Sequence, residues 1–413
     1  MPARTRTYSD SSRPPSVAFL LETGAPNQFW STAVQKVADA GFRTSFVTVQ
    51  GRGPLHGELE AHGVRPVALA ASGVKDYPRA AASLGRFLRK ERIDVLHSCA
   101  PIQATVGGMG CFLAPKTIHA FQRQHMQINS KQQELFTTVG SRLSNYTLAI
   151  SEATAAWATT NDRVPASKVR TVYLGVPGHR PVNAAEVAGL RADLGIPSDA
   201  RVLVLAGFMR IEKGHRVLLD ALPTIRAGVD APVHVVFVGG TGPEEEALTK
   251  LCADDPAIHL MGFQKDLSSW FALADVVVMP SLFEAFGLVA VEAFAASRPL
   301  VASDVGGLRE VVRDGSGMLV PPGDPRALAE AVVEVLSSPS KALAMASAGF
   351  RRFQQHFTVD AMVRGWTAFY DHALRRATAP ATETVAAPTA PVIHAASRRR
   401  RVEPVPGTAR RAG

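Results

Sequence analysis

Residues 280–317 read PSLFEAFGLVAVEAFAASRPLVASDVGGLREVVRDGSG, and the rest of the chain is legible outward from them. Just before them lies the uncharged run Val276-Val-Val-Met279, following Asp275, which has the character of a strand buried on both faces. A turn carrying Glu284 comes next. Gly287 then releases the chain into a segment of good helix formers, so Glu292 is predicted within the first two turns of a helix. One carboxylate at a strand's carboxyl end and another in the following helix both border the crevice where open α/β sheets bind ligands. Taken alone, the two would be a loop charge and a solvated helix face. Their surroundings change that reading.

In order, the chain supplies Pro280, Ser281, Glu284, Phe286, Gly287, Glu292, Pro299, Gly306, Gly307, Glu310, Asp314 and Gly315. This pattern resembles the nucleotide-sugar-binding signature of family 4 retaining glycosyltransferases. One departure is Ser297, where the family usually has a glycine two residues before the proline. The resemblance implies the α/β architecture called GT-B, two Rossmann-like parallel-sheet domains facing a central cleft. Its specific motifs cover most of 200–376, whereas 16–175 match by general pattern.

The length, 413 residues, exceeds one ordinary core and favours more than one domain. An apolar fraction of 46% and a charged fraction of 20% are those of a soluble globular protein. The net charge of +9 sits mostly at the ends. Residues 1–16 carry +2 and residues 378–413 carry +4, leaving +3 for everything between. No body segment concentrates positive charge, so nucleic acid is not an expected partner. Cys99, Cys111 and Cys252 are far apart and in no ligand spacing, which suits free thiols in a reducing compartment. The first 15 residues lack the apolar core of a secretion signal. The expected location is cytoplasmic, with peripheral contact at the inner face of the membrane as an option.

From Ser16, apolar runs at 17–21, 44–49, 64–69, 93–98, 116–121 and 146–151 alternate with helical stretches at 28–40, 76–92, 102–113 and 130–144. That alternation predicts a parallel sheet covered on both faces. Gly24 follows the first strand, where a small residue admits a ligand to the backbone. The loop reads TGAPNQF and lacks the GxGxxG fingerprint, which argues against a nicotinamide dehydrogenase. Residues 161–200, rich in proline, glycine and small polar residues, read as the lead into a second domain, with 176–200 as the linker proper. Strands recur at 201–207, 233–240, 257–262, 276–281 and 299–303. The helix 358–376 carries Met362, Trp366, Phe369, Tyr370, Ala373 and Leu374 on one stripe, and the resemblance implies that it packs on the first domain. Residues 1–15 and 377–413 are expected to be disordered tails, the second rich in Ala, Pro and Arg.

Arg210 and Lys213, in GFMRIEKGH (207–215), lie just past the first strand of the second domain, where a diphosphate would find cations and free backbone amides together. The resemblance implies that they neutralise a leaving nucleoside diphosphate. Glu284 would then accept hydrogen bonds from the transferred sugar and Glu292 from the ribose, while the backbone of Phe286, Gly287 and Leu288 orients the sugar. Gly239 and Gly240 serve either a close approach by the donor or only a tight strand-to-helix turn. Phe263 ends a strand where relatives contact the base. No Asp-x-Asp occurs, so neither a metal nor a cofactor beyond a UDP- or GDP-sugar substrate is expected. His119 and His125 are each either a sugar contact or an ordinary histidine, and Gln122 falls at the family's histidine position.

The expected activity is retaining transfer from a nucleotide-diphosphate sugar to a glycan or lipid-linked acceptor of the cell envelope. A helix bearing Arg79, Arg86, Phe87, Arg89, Lys90 and Arg92 is either a membrane-facing surface or a solvated one. An epimerase of the same architecture and a non-catalytic sugar-nucleotide-binding protein are the competing readings. The first would want paired acid/base residues that the sequence does not offer. The second would have no need of the two pairs Arg210/Lys213 and Glu284/Glu292.

Overall fold

A computed structural model describes residues 13–126 and 131–378. The described chain forms two compact units. One comprises residues 13–175 together with 359–378, and the other residues 176–358. Both are α/β.

The first unit holds strands β1 (Ser16–Leu21), β2 (Arg43–Thr48), β3 (Arg65–Ala68), β4 (Val95–Ser98), β5 (Ile118–Arg123), β6 (Tyr146–Ala149) and β7 (Val169–Thr171). They form a parallel sheet in the order β3-β2-β1-β4-β5-β6-β7. The order reverses between β1 and β4, whose partners run Val17 to Val95 through Leu20 to Ser98. Every residue of β1 and β4 is buried, as expected of central strands with helices on both faces. Ala18, Leu20, Val47, Leu84, Leu88 and Leu96 form part of the core on one face.

The helix Val359–Thr378 belongs to this unit. Its Trp366 stacks on Trp30, with centroids 6.0 Å apart and planes at 12°, and also meets Phe19. Its Tyr370 hydroxyl bonds His97 Nδ1, whose other nitrogen lies 3.0 Å from Gln122 Oε1. An acceptor oxygen on Gln122 makes Nε2 the protonated nitrogen, so Tyr370 donates to Nδ1. Burial drives the His97 pKa down to about 3, which keeps the ring neutral inside the core.

The second unit holds β8 (Arg201–Ala206), β9 (Val233–Val238), β10 (Ile258–Leu260), β11 (Val276–Met279), β12 (Leu300–Ser303) and β13 (Met318–Val320). These form a parallel sheet in the order β10-β9-β8-β11-β12-β13. Leu203, Leu218, Phe237, Val278, Leu328 and Val332 centre its core.

Several sequence expectations need correction. The proposed linker 176–200 is folded, since it contains the helix Ala184–Asp193, capped by the Asn183 side chain, and just before it the unexpected strand β7 pairs with β6. Within the second unit, Arg180 links that helix, through Glu186, to Asp266 and Ser269. β5 runs two residues further than expected and carries Gln122 and Arg123 into the sheet. The short strand β13 was not expected. Within the proposed amino-terminal tail, Arg13 is anchored, its guanidinium making two bonds of 2.9 and 2.7 Å to Asp94. Residues 1–12 of that tail, and 379–413 of the other, lie outside the described residues.

Ser297 follows the helix Leu288–Ala295 and its cap Ala296 with φ +54°, the left-handed conformation that a helix end favours for glycine. The serine therefore adopts a glycine-like turn at some backbone cost. The three cysteines are free thiols. Among the described residues, no helix is long and apolar enough to cross a membrane.

Candidate functional site

In the second unit, the turn Ile211–Lys213 follows β8 and leads into the helix His215–Ala227. Gly214 joins them at φ +72°. A Cβ there would lie 1.9 Å from the Pro280 carbonyl oxygen, so only glycine lets this turn sit against the end of β11. The Leu282 N–H donates to the Glu212 carbonyl at 2.9 Å and stitches the two loops together. As a result Lys213 Nζ reaches Glu284 Oε2 at 2.7 Å, with 25% and 13% of the side chains exposed. Arg210 is the more exposed cation and pairs within its own turn, its Nε 2.7 Å from Glu212 Oε1.

Gly287 opens the next helix at φ +106°. Gly307 N–H donates to the Glu284 carbonyl at 3.1 Å, fixing the backbone beside it. Glu292 lies in the second turn of Leu288–Ala295, half-buried. Burial alone pushes its carboxyl up to about 7. Among the described residues, no side chain or backbone N–H pairs with that carboxylate. Its backbone carbonyl instead accepts from His179 Nε2 at 3.0 Å, while His179 Nδ1 faces the Ser268 hydroxyl at 3.3 Å. A half-buried carboxylate lacking a partner carries a desolvation cost that a hydrogen-bonding ligand would offset.

The Phe286 side chain is buried against Phe357, with ring centroids 5.9 Å apart, so anything Phe286 offers a ligand is main chain. Leu288 is exposed at the helix start, and Phe208 and Phe263 are exposed past the ends of β8 and β10. Gly239 and Gly240 have packing reasons of their own. A Cβ at Gly239 would lie 1.7 Å from the Gly207 carbonyl oxygen, and one at Gly240 would strike the Phe208 ring at 2.6 Å.

In the first unit, a Cβ on Gly24 would run into the His56 ring and the Gly53 backbone, which accounts for that glycine. His119 is fully buried, with Nε2 2.9 Å from the Ser98 hydroxyl and a pKa lowered to about 4 by burial. It is a core histidine. His125 lies on the surface past β5, and Gln122 is buried against His97. On the basic helix, Tyr77–Lys90, Arg79, Arg86, Arg89 and Lys90 are exposed, as is Arg92 just past its end, but Phe87 is half-buried against the core beneath Arg65. His179 was missed from the sequence, because a histidine in a proline-rich segment carries no signal of its distant partner.

Among the described residues, two hollows bear on the site. One of about 340 Å³ lies over the helix His215–Ala227 in the second unit, but its arginines are already paired, Arg226 with Asp255 and Arg216 with Glu244. The other, about 220 Å³, lies in the first unit past the ends of β1 and β4.

Solved structures with this fold include HepE from Anabaena in complex with UDP, at TM-score 0.71 and 20% identity over 86% of this chain and 99% of that one. A glycosyltransferase from Rickettsia africae aligns at TM-score 0.72 and 17% identity, over 88% and 99%. The fold is GT-B. Residues 29–180 match the family described as Glycosyltransferase Family 4, and residues 200–338 match Glycosyl transferases group 1. The chain belongs to the family 4, group 1 glycosyltransferases.

Among curated relatives, the D-inositol 3-phosphate glycosyltransferase of Thermobispora bispora is 37% identical over 205 residues, 46% of this chain and 48% of that protein. The corresponding protein of Corynebacterium urealyticum is 40% identical over 167 residues, 38% and 39% of the two. These matches span about half the length of the curated relatives or less.

Proposed function

We propose that the chain transfers a sugar, with retention of configuration, from a nucleotide-diphosphate sugar to a hydroxyl of a glycan or lipid-linked acceptor. The observation that carries this reading is the half-buried, unpartnered Glu292 carboxylate on the helix that follows the Lys213–Glu284 pair. Vicinal ribose hydroxyls are donors of the kind Glu292 lacks. Glu284 would accept from hydroxyls of the transferred sugar, with Lys213 beside it holding the diphosphate. Arg210, on the same turn, is free to exchange Glu212 for phosphate oxygens. The helix start at Gly287 and Leu288 adds N–H groups that have no intrahelical acceptor.

As the glycosidic bond breaks, negative charge grows on the leaving diphosphate. Preorganised cations and amides stabilise that charge more than the ground state. The absence of any Asp-x-Asp motif favours leaving-group stabilisation by Lys213, Arg210 and backbone amides without a metal. HepE, which shares the fold, has been solved with UDP-glucose, so UDP-sugars are the first donors to try.

The test is calorimetry and thermal shift with UDP, GDP, ADP and their common sugars in EDTA. Tight binding of one nucleotide, lost in Glu292→Ala, supports the reading. A chain that binds none of them, with or without acceptor, overturns it.

A further inference from the structure

The hollow in the first unit lies outside the carboxyl ends of β1 and β4, where the strand order reverses and open α/β sheets place ligands. At about 220 Å³ it falls below the roughly 300 Å³ at which pockets for drug-sized ligands begin, and suits a single small ring.

Its wall is built from polar groups held in place. Gln103 is 1% exposed, and the amide orientation that satisfies both its ends donates to the Ala100 carbonyl and accepts from the Glu22 N–H, each at 3.2 Å. That bond fixes the backbone of Glu22, whose carboxylate stands at the mouth with Gln50 Nε2 at 3.2 Å. Asn27 spends its oxygen on the Trp30 N–H at 3.2 Å, which leaves its NH₂ group as a donor. Gln124 supplies a second amide, and Trp30, largely buried and stacked on Trp366, the apolar part of the lining.

Resting on the glycosyltransferase reading, we infer that this hollow takes the acceptor as an uncharged polyhydroxyl ring, a sugar or cyclic polyol, and discriminates against phosphomonoesters. Hydroxyls both donate and accept, and the wall offers both: the Glu22 carboxylate to receive, the Asn27 and Gln124 amides to give. The C–H face of a ring would lie on Trp30. Among the described residues no lysine or arginine lines the hollow, and the one charged group there, Glu22, repels a phosphate dianion. Two helices, Gln28–Asp39 and Pro101–Cys111, begin at its edge, which by itself favours anions. That pull is blunted because Asn27 already caps one helix start and Pro101, with no N–H, opens the other.

The test uses the full chain with saturating UDP. Affinities for methyl α-glucoside and myo-inositol are compared with those for glucose 6-phosphate and inositol 3-phosphate, by ligand-observed NMR. The expected result is at least a tenfold preference for the neutral member of each pair, reversed at least tenfold in Glu22→Lys. Glu22→Gln, nearly isosteric, should shrink the preference severalfold and covers the case in which the lysine variant does not fold. A wild-type chain that prefers the phosphates, binds neither class, or keeps its ratio in both Glu22 variants overturns the inference. Nucleotide affinity is read separately. Neutral rings bound with the stated preference, but no nucleotide bound, would overturn the glycosyltransferase reading and leave the character of the hollow standing.

Discussion

Lys213 Nζ sits 2.7 Å from Glu284 Oε2, joining a cation that follows β8 to a carboxylate that follows β11. The pair is mostly shielded, so salt screens it less than a surface ion pair, and it remains open to competition by a ligand. In the proposed reaction it would set neighbouring places for a phosphate and a sugar hydroxyl.

Lys213→Ala should lower turnover by about 10²–10³ while leaving nucleotide affinity much less affected, since the charge it balances grows mainly as the bond breaks. Steady-state kinetics with the best donor checks this. Turnover within twofold of wild type would remove Lys213 from the leaving-group role.

Glu292→Gln should weaken nucleotide binding and at the same time stabilise the empty protein at alkaline pH. The Glu292 carboxyl is raised from 4.5 to about 7, so the folded state holds its proton more tightly than the unfolded chain does. Its contribution is fully present below about pH 4.5 and is lost as pH rises through 7, amounting to at most about 3 kcal/mol. Gln carries no such penalty. Urea unfolding of both proteins should show the variant ahead at pH 8 and the difference closing toward pH 5. A gap that does not change with pH would mean that Glu292 ionises normally.

Gly214→Ala should disable the site even if the protein folds, because the new methyl collides with the Pro280 carbonyl and the backbone is already left-handed. Loss of turnover by more than tenfold, with far-UV circular dichroism retained, is the expected outcome. Normal turnover would mean that the turn can retreat without moving Lys213.

Ser297→Gly should raise stability by about 0.5–1 kcal/mol, since it relieves a left-handed non-glycine residue at a helix end. A shift in the urea midpoint at constant slope is the readout. No gain would show that the glycine's greater unfolded-state entropy cancels the relief.

Tyr370→Phe should cost about 1–3 kcal/mol by leaving His97 Nδ1 buried without a donor. The nucleotide site proposed around Lys213, Glu284 and Glu292 lies in the other unit, so nucleotide affinity should stay within twofold.

The sequence was most readable where chemistry and local pattern coincide. Glu284 and Glu292 stand in a motif whose turn and helix follow from Gly287 and an alanine-rich run, and the structure places them accordingly. The pairing of Lys213 with Glu284 was not readable, because it depends on how closely Gly214 lets two loops approach across 71 residues. The bond from His179 to the Glu292 carbonyl spans 113 residues and left no trace in either segment. β7 and β13 are three residues long, too short for alternation to show. Proline and glycine content made 161–200 look like a linker, although Asn183 was present as a helix cap all along.

The split of the first unit between residues 13–175 and 359–378 also constrains its synthesis. Its aromatic centre joins Phe19, Trp30 and His97 to Trp366 and Tyr370, which a ribosome adds only after all of 176–358. At roughly 5–20 residues per second, the early half waits on the order of ten seconds or more with Trp30 uncovered. The second unit is continuous in sequence and can close as it emerges. The nascent chain should therefore complete its later half first, and a stop codon before residue 359 should leave a chaperone-dependent, aggregation-prone amino-terminal half attached to a folded carboxyl-terminal one.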